Sequence, residues 1–152
     1  GKLLPKRATM RAMNLLKSRP YTEYQLRQKL SMGGYPQDAQ EEAISYVKSY
    51  HYIDDRQYAM DYIEYHQESK TKQKLLQSLM SKGLSKELIL ECFDEIVGDR
   101  KKELEEEQIL KILRKKNYDP EQWTFEEKQR LMASLYRKGF SSELIHVHFY
   151  LT

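Results

Sequence analysis

Cysteine, proline and glycine are all scarce in this chain of 152 residues, which contains one, four and six of them respectively. A single cysteine excludes an intramolecular disulfide and a cysteine-based zinc site, and it fits a reducing cytosol. No apolar run approaches the roughly 20 residues that a membrane span needs, and no signal peptide opens the chain. The chain begins with Gly1 rather than methionine, so we expect that upstream sequence is missing.

The low glycine and proline contents favour an all-α protein, and the composition indicates thin amphipathic elements rather than one thick core. Apolar residues make up 39% of the chain, charged residues 32%, and the mean hydropathy is −0.83. The net charge of +3 divides into +5 on residues 1–53, −4 on residues 54–99 and +2 on residues 100–152. A basic end beside an acidic middle is more suggestive of an interaction surface than the small net charge is.

One pattern of leucines and glycine occurs three times, with periods of 49 and 56 residues between the glycines. Two leucines four positions apart share a helical face, and a glycine follows where left-handed backbone geometry ends a helix. An apolar residue and a serine, or Pro36 in the first copy, then precede the next helix. The three copies are Leu26-x3-Leu30-x3-Gly34-Tyr35-Pro36, Leu75-x3-Leu79-x3-Gly83-Leu84-Ser85 and Leu131-x3-Leu135-x3-Gly139-Phe140-Ser141. The chain therefore contains an internal repeat with three copies.

A further amphipathic helix precedes each copy of this pattern, so the sequence predicts three tandem three-helix units with about nine helices. Capping boxes at Thr22…Gln25 and Thr124…Glu127 start two of the middle helices. Each small unit buries its apolar face mainly on itself and its neighbours, and we therefore expect an elongated array. The predicted units are residues 1–53, 54–99 and 100–152.

Several segments of the chain resemble the RecX family of regulatory proteins, in an order and spacing that cover nearly its whole length. Those similar to the first RecX repeat are Ala12-x2-Leu15-Leu16-x2-Arg19, Thr22-x3-Leu26-x2-Lys29-Leu30-x3-Gly34 and Tyr52-Ile53-Asp54-Asp55-x2-Tyr58-Ala59-x2-Tyr62-Ile63. Those similar to later repeats are Lys82-Gly83-Leu84-Ser85-x2-Leu88-Ile89 and Arg137-Lys138-Gly139-Phe140-Ser141-x2-Leu144-Ile145. The chain departs from the family before its second middle helix, where Thr71-Lys72 replaces a frequent Gly-Pro.

This resemblance implies a bacterial, cytoplasmic protein whose three-helix repeats form a bent rod. It also implies a non-enzymatic regulator that binds the filament of RecA recombinase on DNA. Such a regulator inhibits the recombinase, ATPase and coprotease activities of RecA in DNA repair, recombination and the SOS response. The expected partners are thus the RecA filament and, weakly and in a salt-dependent way, DNA. We expect a monomer with no membrane partner.

The residues themselves do not predict catalysis. Possible catalytic groups are His51, His66, His146, His148, Cys92 and the Asp54-Asp55 pair. His146 and His148 are two positions apart, which separates them by about 200° on a helix and prevents them from sharing a metal. Cys92 occupies an apolar helix position typical of a buried structural thiol, and Asp54-Asp55 suits the start of a helix. Because a glycine-rich phosphate loop is also missing, we expect no enzyme activity, no cofactor and no metal.

Basic residues provide the better functional signal, since lysine and arginine can contact phosphates or an acidic protein. The candidate RecA- or DNA-binding residues are Arg11, Lys17, Arg19, Arg27, Lys29, Lys72, Lys74, Lys82, Lys115, Lys116, Arg137 and Lys138. The alternative for each of them is an ordinary solvated helix face. Whether they share one side of the array depends on the twist between units. We also expect the acidic middle unit to repel a nucleic-acid backbone.

Tyrosines are a second group of candidates, because aromatic rings can stack on unpaired bases. Nine of the twelve tyrosines precede residue 66. We expect core packing to account for most of the four that lie near apolar positions, Tyr46, Tyr50, Tyr58 and Tyr62. Tyr21 and Tyr24, beside the turn at Pro20, are less well explained by packing.

Two functional hypotheses therefore remain. The first is a protein-interaction regulator of the RecA–DNA filament, as the resemblance implies. The second is a stand-alone, sequence-indifferent nucleic-acid-binding module whose affinity comes from the basic residues. A helical-repeat scaffold for peptides has less support, because its usual repeat period of about 34 residues is not found here.

Overall fold

The computed structural model describes residues 3–150, without the side chains of residues 3–5. The described part of the chain is all-α, as the sequence predicts, and contains no strand. A short 3-10 turn, Gly98–Arg100, lies between the sixth and seventh helices. The nine helices described are α1 Leu3–Ser18, α2 Glu23–Met32, α3 Gln37–Ser49, α4 Asp55–His66, α5 Lys72–Ser81, α6 Lys86–Val97, α7 Lys101–Lys115, α8 Phe125–Arg137 and α9 Ser142–Phe149.

The three repeated glycines end their helices in the same way. Gly34, Gly83 and Gly139 have φ angles of +83°, +89° and +88°. After each of them, the amide of the next residue donates a hydrogen bond of 3.2–3.3 Å to a leucine carbonyl five residues earlier. This bond is typical of a Schellman motif, and it confirms the helix ends predicted from the repeat.

Side-chain caps begin most of the helices after α1. Both predicted capping boxes are present, at Thr22 with Gln25 and at Thr124 with Glu127. Asp54 caps α4 by accepting a hydrogen bond of 3.1 Å from the backbone amide of Gln57. Thr71, Ser85 and Ser141 cap the starts of α5, α6 and α9, whereas Pro36 precedes α3 without a side-chain cap.

The apolar residues form three consecutive cores rather than one. The first lies among α1, α2 and α3, and the fully buried Ala8 and Ala12 of α1 allow close helix packing. The second lies among α4, α5 and α6 and also takes Leu104 from α7, while the third lies among α7, α8 and α9. The accessible surface is 10039 Å², against about 8,100 Å² expected for a compact monomer of this mass. The array is therefore elongated.

Neighbouring units are joined by hydrogen bonds to the starts and ends of helices. The Thr22 hydroxyl donates to the Lys82 carbonyl at 2.6 Å, and the Glu23 amide donates to the Asp55 carboxylate at 2.9 Å. Between the second and third units, the Gln108 side-chain amide donates to the carbonyl of Lys70 at 2.8 Å. These bonds fix the orientation of each unit on the next.

The tyrosines are not distributed as expected from their spacing. Tyr46 and Tyr50 are 41% and 57% exposed, so core packing does not account for these two, whereas Tyr58 and Tyr62 pack partly buried against the second core. The rings of Tyr46 and Tyr50 instead contact each other with centroids 4.8 Å apart, and Tyr50 stacks on Tyr52 at 5.7 Å. Tyr21, by contrast, is buried in the first core. A tyrosine at the helical spacing of core residues can thus still have an exposed ring.

None of the described helices is sufficiently long and apolar to span a membrane.

Candidate nucleic-acid interface

A basic cleft lies where the second unit meets the third. Its inner part, of about 160 Å³, is lined by Lys72 from α5, Lys101 from α7 and Lys138 from the turn after α8. Its outer part, of about 250 Å³, shares Lys138 and adds Lys74, Lys111 and Lys115. We call the two parts together the joint cleft. Its charged lining consists of seven lysines and two glutamates, namely Lys70, Lys72, Lys74, Lys101, Lys111, Lys115, Lys138, Glu68 and Glu105.

Lys72 is one of the lysines of this group that are partly withdrawn from solvent. Its side chain is half-buried, and Nζ lies 5.1 Å from the centre of the buried Phe93 ring. Burial lowers the pKa of Lys72, and the neighbouring Lys101 ammonium lowers it further. The charges of Asp94 and Glu105 offset this only in part. The inner part of the cleft therefore holds like charges close together, which an anion would stabilise.

The backbone that carries Lys72 is held in place by Gln108. The side-chain amide of Gln108 donates to the carbonyls of Gln67 at 3.1 Å and Lys70 at 2.8 Å. The Arg100 guanidinium also donates to the Gln67 side chain at 2.8 Å. These bonds connect the link between α4 and α5 to the third unit. They hold the backbone before Lys72 against α7, the helix that begins with Lys101.

An aromatic cleft lies at the other end of the second unit, beside the first unit. We call it the tyrosine cleft, and it is lined by Pro20, Tyr58, Asp61, Tyr62, Tyr65 and His66. Lys70 and Lys82 lie over the Tyr62 ring at 5.5 and 5.3 Å, and Lys70 Nζ is 3.0 Å from the Tyr62 hydroxyl. Lys70 thus lies between the tyrosine cleft and the joint cleft. The two clefts are therefore connected through Lys70.

The lysines also change the titration of the tyrosine cleft. Burial would raise the pKa of Tyr62, but hydrogen bonds with Ser78 and Lys70 and the charges of Lys70 and Lys82 lower it overall. Burial and the same two lysines lower the pKa of His66, which favours its neutral form. Two lysine charges therefore lie beside the aromatic rings of this cleft, which also contains Asp61, and Tyr65 is 83% exposed. Such a combination suits contact with bases and phosphates.

Comparisons with known proteins match parts of the first and the third predicted unit. A model of the first three-helix domain of RecX matches residues 8–46, and one of its third three-helix domain matches residues 103–146. Regulatory protein RecX of Caldanaerobacter subterraneus is 32% identical over 148 residues, which cover 97% of this chain and 71% of the relative. This chain belongs to the RecX family of regulatory proteins.

Other RecX proteins are similar over much of the chain but are longer. Regulatory protein RecX of Clostridium botulinum strain Eklund 17B is 33% identical over 128 residues, covering 82% of this chain and 58% of the relative. The chain thus spans less than two thirds of that relative. A crystal structure of RecX from Lactobacillus salivarius superimposes with a TM-score of 0.78 at 19% identity, covering 97% of this chain and 95% of the other. That likeness concerns the fold.

The structure brings together only some of the basic residues predicted from the sequence. Lys72, Lys74, Lys115 and Lys138 line the joint cleft, and Lys82 lies at the tyrosine cleft. Arg19 packs over the Tyr21 ring at 3.9 Å, and Arg27 forms ion pairs with Glu23 and Glu41. Lys116 lies in a separate hollow beside Trp123. The remaining candidates are exposed helix residues, namely Arg11, Lys17, Lys29 and Arg137.

Lys101 and Lys111 were missed by the sequence reasoning, although helical spacing contains a signal for them. Lys101, Gln108 and Lys115 are seven residues apart and therefore lie close to one face of α7. All three line the joint cleft. Without the orientation of α7 on the second unit, that face cannot be distinguished from an ordinary solvated one.

The net charge of the acidic middle unit also conceals its basic side. Four of its six basic residues are the lysines 70, 72, 74 and 82, which contact the two clefts. Arg56 instead forms ion pairs with Glu91 and Glu95 of α6. The basic and acidic groups are therefore partly separated within the unit, and its charge of −4 does not describe the surface at the clefts.

The groups considered for catalysis are buried, cap a helix or contact neighbouring side chains. Cys92 is buried, as its apolar position predicts, and burial raises the pKa of its thiol. His146 contacts the Tyr136 hydroxyl at 2.9 Å, whereas His148 lies 3.6 Å from the Glu106 carboxylate. Asp54 caps α4, and Asp55 accepts the amide of Glu23. In residues 3–150, no three His, Cys, Asp or Glu side chains form a group that could hold a metal.

Proposed function

We propose that this RecX-family protein is a non-enzymatic regulator that binds the RecA–DNA filament and restrains its recombinase, ATPase and coprotease activities. Membership of the family is the observation that carries this proposal. The regulator acts in the bacterial cytoplasm, where it takes part in DNA repair and recombination. It acts as a monomer.

The shape of the array supports this function. Its three consecutive cores give an elongated body whose units are fixed by hydrogen bonds at both joints. A rigid body loses little conformational entropy when it docks. A recombinase filament presents a repeating helical groove, so an elongated protein contacts several protomers and the DNA together. Weak contacts at each site then combine through effective concentration.

The distribution of charge supports contact with the nucleic acid of the filament. The joint cleft gathers seven lysines from two units, and the tyrosine cleft adds aromatic rings beside Lys70 and Lys82. Contacts of this kind bind phosphates without reading sequence. Binding and obstruction of the filament groove need no catalytic group, and inhibition therefore proceeds without ATP hydrolysis by this chain.

The test is a titration of preformed RecA filaments while the RecA ATPase rate is followed. We expect inhibition at amounts well below one molecule per RecA, and we expect it to weaken as salt is added. Reversal of charge at Arg11, Arg19 and Lys29 should relieve inhibition more than reversal at Lys86, an exposed residue at the start of α6. A filament that keeps its full ATPase rate throughout the titration contradicts the proposal.

The second candidate function is a stand-alone, sequence-indifferent nucleic-acid-binding module. The concentration of lysines in the joint cleft favours it, because that surface suits any nucleic-acid backbone. The control is a DNA-stimulated ATPase unrelated to RecA. Equal inhibition of both enzymes would identify competition for DNA and support the module, whereas a regulator acts selectively on RecA.

A further inference from the structure

The inner part of the joint cleft has an arrangement of charge that packing within the protein does not explain. In the described part of the chain, neither Lys72, Lys101 nor Lys138 forms an ion pair with a carboxylate. The Glu105 carboxylate lines the same cleft but accepts the backbone amide of Ser141. One of its oxygens therefore satisfies the start of α9, and its charge offsets those of the lysines only in part.

The three lysines also converge from separate parts of the fold. Lys72 is the first residue of α5, Lys101 is the first residue of α7, and Lys138 follows the last residue of α8. The first turn of α5 contains Lys72 and Lys74 and no acidic residue, so its helix dipole adds to the positive potential. The hydrogen bond from Gln108 to the Lys70 carbonyl also holds the backbone two residues before Lys72 against α7, the helix that begins with Lys101.

We propose that the inner part of the joint cleft is a phosphate-binding site in which Lys72, Lys101 and Lys138 contact one phosphate group of a nucleic-acid backbone. A tetrahedral phosphate presents several oxygen atoms, so that three ammonium groups can each donate to the same anion. This inference rests on the proposed function only in taking nucleic acid as the source of the phosphate.

If the site binds phosphate, the positive charge of Lys72 stabilises the bound anion but destabilises the protein when no anion is present. Its ammonium is half-buried against Phe93 and close to Lys101, an environment that disfavours the charge when no anion is present. Substitution of Lys72 by methionine removes the charge and keeps a long apolar side chain over the Phe93 ring. A purely structural lysine would instead stabilise the free protein.

The first experiment measures the melting temperature of the full chain in sodium phosphate and in sodium chloride of equal ionic strength. At tenfold over its Kd, phosphate should raise the melting temperature by about 3 °C more than chloride does. Lys72→Met should raise the melting temperature in chloride and abolish the additional effect of phosphate. Lys86→Met, which removes an exposed lysine of the same unit, should keep that effect. A wild-type protein that responds equally to both salts contradicts the site.

The second experiment measures the affinity of a labelled single-stranded oligonucleotide as a function of salt for Lys72→Met, Lys138→Met and the double variant. Each lost phosphate contact lowers the slope of log K against log salt by about 0.7. If both lysines contact one phosphate, the double variant should lose at most about 0.7 of slope in total, because only one phosphate contact can be lost. A loss of about 1.4 would indicate two phosphates and overturn the convergent site.

An unchanged affinity in all three variants, combined with a phosphate effect that depends on Lys72, would show that the site takes a free phosphate group. That result would overturn nucleic acid as the source. Neither experiment contains RecA, so its outcome is separate from that of the ATPase titration. A normal ATPase titration with a failed phosphate experiment would leave the regulator and remove only this site.

Discussion

Gly83 of the second unit lies directly against Tyr24 of the first. A Cβ atom placed on Gly83 would be 2.2 Å from the Cβ of Tyr24, closer than two such atoms can approach. The equivalent contact at the next joint is looser, because a Cβ atom on Gly139 would lie 3.4 Å from the Cβ of Gln73. Tyr24 and Gln73 occupy the second position of α2 and α5. The repeat therefore uses the same surfaces at both joints, with the closer approach at the first.

Substitution of the three turn glycines by alanine should separate backbone strain from this close approach. Gly34 has a positive φ angle but nothing within 4 Å of an added Cβ, so Gly34→Ala should cost about 1–2 kcal/mol. Gly139→Ala should cost a similar amount. Gly83→Ala should cost about 2–4 kcal/mol, because overpacking against Tyr24 adds to the strain. The free energy of unfolding in urea measures the order, and Gly83→Val should be at least as costly as Gly83→Ala.

Equal losses for Gly83→Ala and Gly34→Ala would contradict the close contact between the units. Tyr24→Gly/Gly83→Ala is the matched double variant, since it removes the side chain that obstructs the alanine. If the two residues touch as described, the double variant should lose less stability than the sum of the losses of the two single variants.

Thr22 has two roles, as a helix cap and as a hydrogen-bond donor to the second unit, and Thr124 shares only the first. The Thr22 hydroxyl oxygen accepts the Gln25 amide at 3.1 Å and donates its proton to the Lys82 carbonyl at 2.6 Å. Thr22→Val should therefore cost about 2–4 kcal/mol, from a lost cap and a partly buried carbonyl left without its donor. Thr124→Val should cost only about 1 kcal/mol, because that residue is an exposed cap. Urea unfolding compares them.

Thr22→Ser provides the control, because serine keeps the hydroxyl and loses only a methyl group. It should be less destabilising than Thr22→Val. If the two valine variants lose equal stability, the hydrogen bond to Lys82 contributes nothing to the joint.

Local sequence rules were sufficient for the helices and their ends. The leucine pairs before Gly83 and Gly139 predicted both the buried helix face and the left-handed residue that ends it. The capping box at Thr22 was predicted because cap and amide lie three residues apart. Each of these features depends on interactions within one or two helical turns, so the necessary information is contiguous in the chain.

The candidate site depends on distances that no local pattern contains. Lys72 and Lys101 come together only because α5 and α7 are oriented by the joint between two units. The repulsion of nucleic acid expected from the acidic middle unit rests on its net charge, which does not contain the separation of charge within the unit. Tyr46 and Tyr50 were misassigned for a related reason, since one exposed edge of α3 follows the same spacing as its buried face.

Glu23 should make the first unit sensitive to acid. It forms ion pairs with Lys48 at 2.9 Å and Arg27 at 3.1 Å, and the hydrogen bond from Lys48 is the largest cause of its lowered pKa, to which Arg27 adds although burial opposes them. A carboxylate with a lowered pKa in the folded state stabilises the protein above its unfolded pKa, and this contribution is lost as pH falls through the folded pKa. Glu23→Gln should cost about 0.5–1 kcal/mol at neutral pH because the pair is partly solvated.

The measurement is the difference in melting temperature between wild type and Glu23→Gln as a function of pH. The difference should be constant above about pH 6 and should shrink as the pH falls towards about 3. Glu42→Gln, on the exposed side of α3, should show no such change. A difference that persists unchanged in acid would mean that Glu23 acts through packing rather than charge.

The distribution of nucleic-acid contacts over the array can be tested by removing four positive charges at a time. One variant replaces the first-unit residues Arg11, Lys17, Arg19 and Lys29 by alanine, and the other replaces the joint-cleft residues Lys74, Lys111, Lys115 and Lys138. Because the joint-cleft lysines are gathered in one place, we expect the second variant to lose more affinity for a single-stranded oligonucleotide. Four lost phosphate contacts would lower the salt slope by about three, and the first-unit variant should lose less because Arg19 packs on Tyr21. Circular dichroism confirms that both variants fold. A slope that changes only in the first-unit variant would place the interface on α1 and α2 and exclude the joint cleft from it.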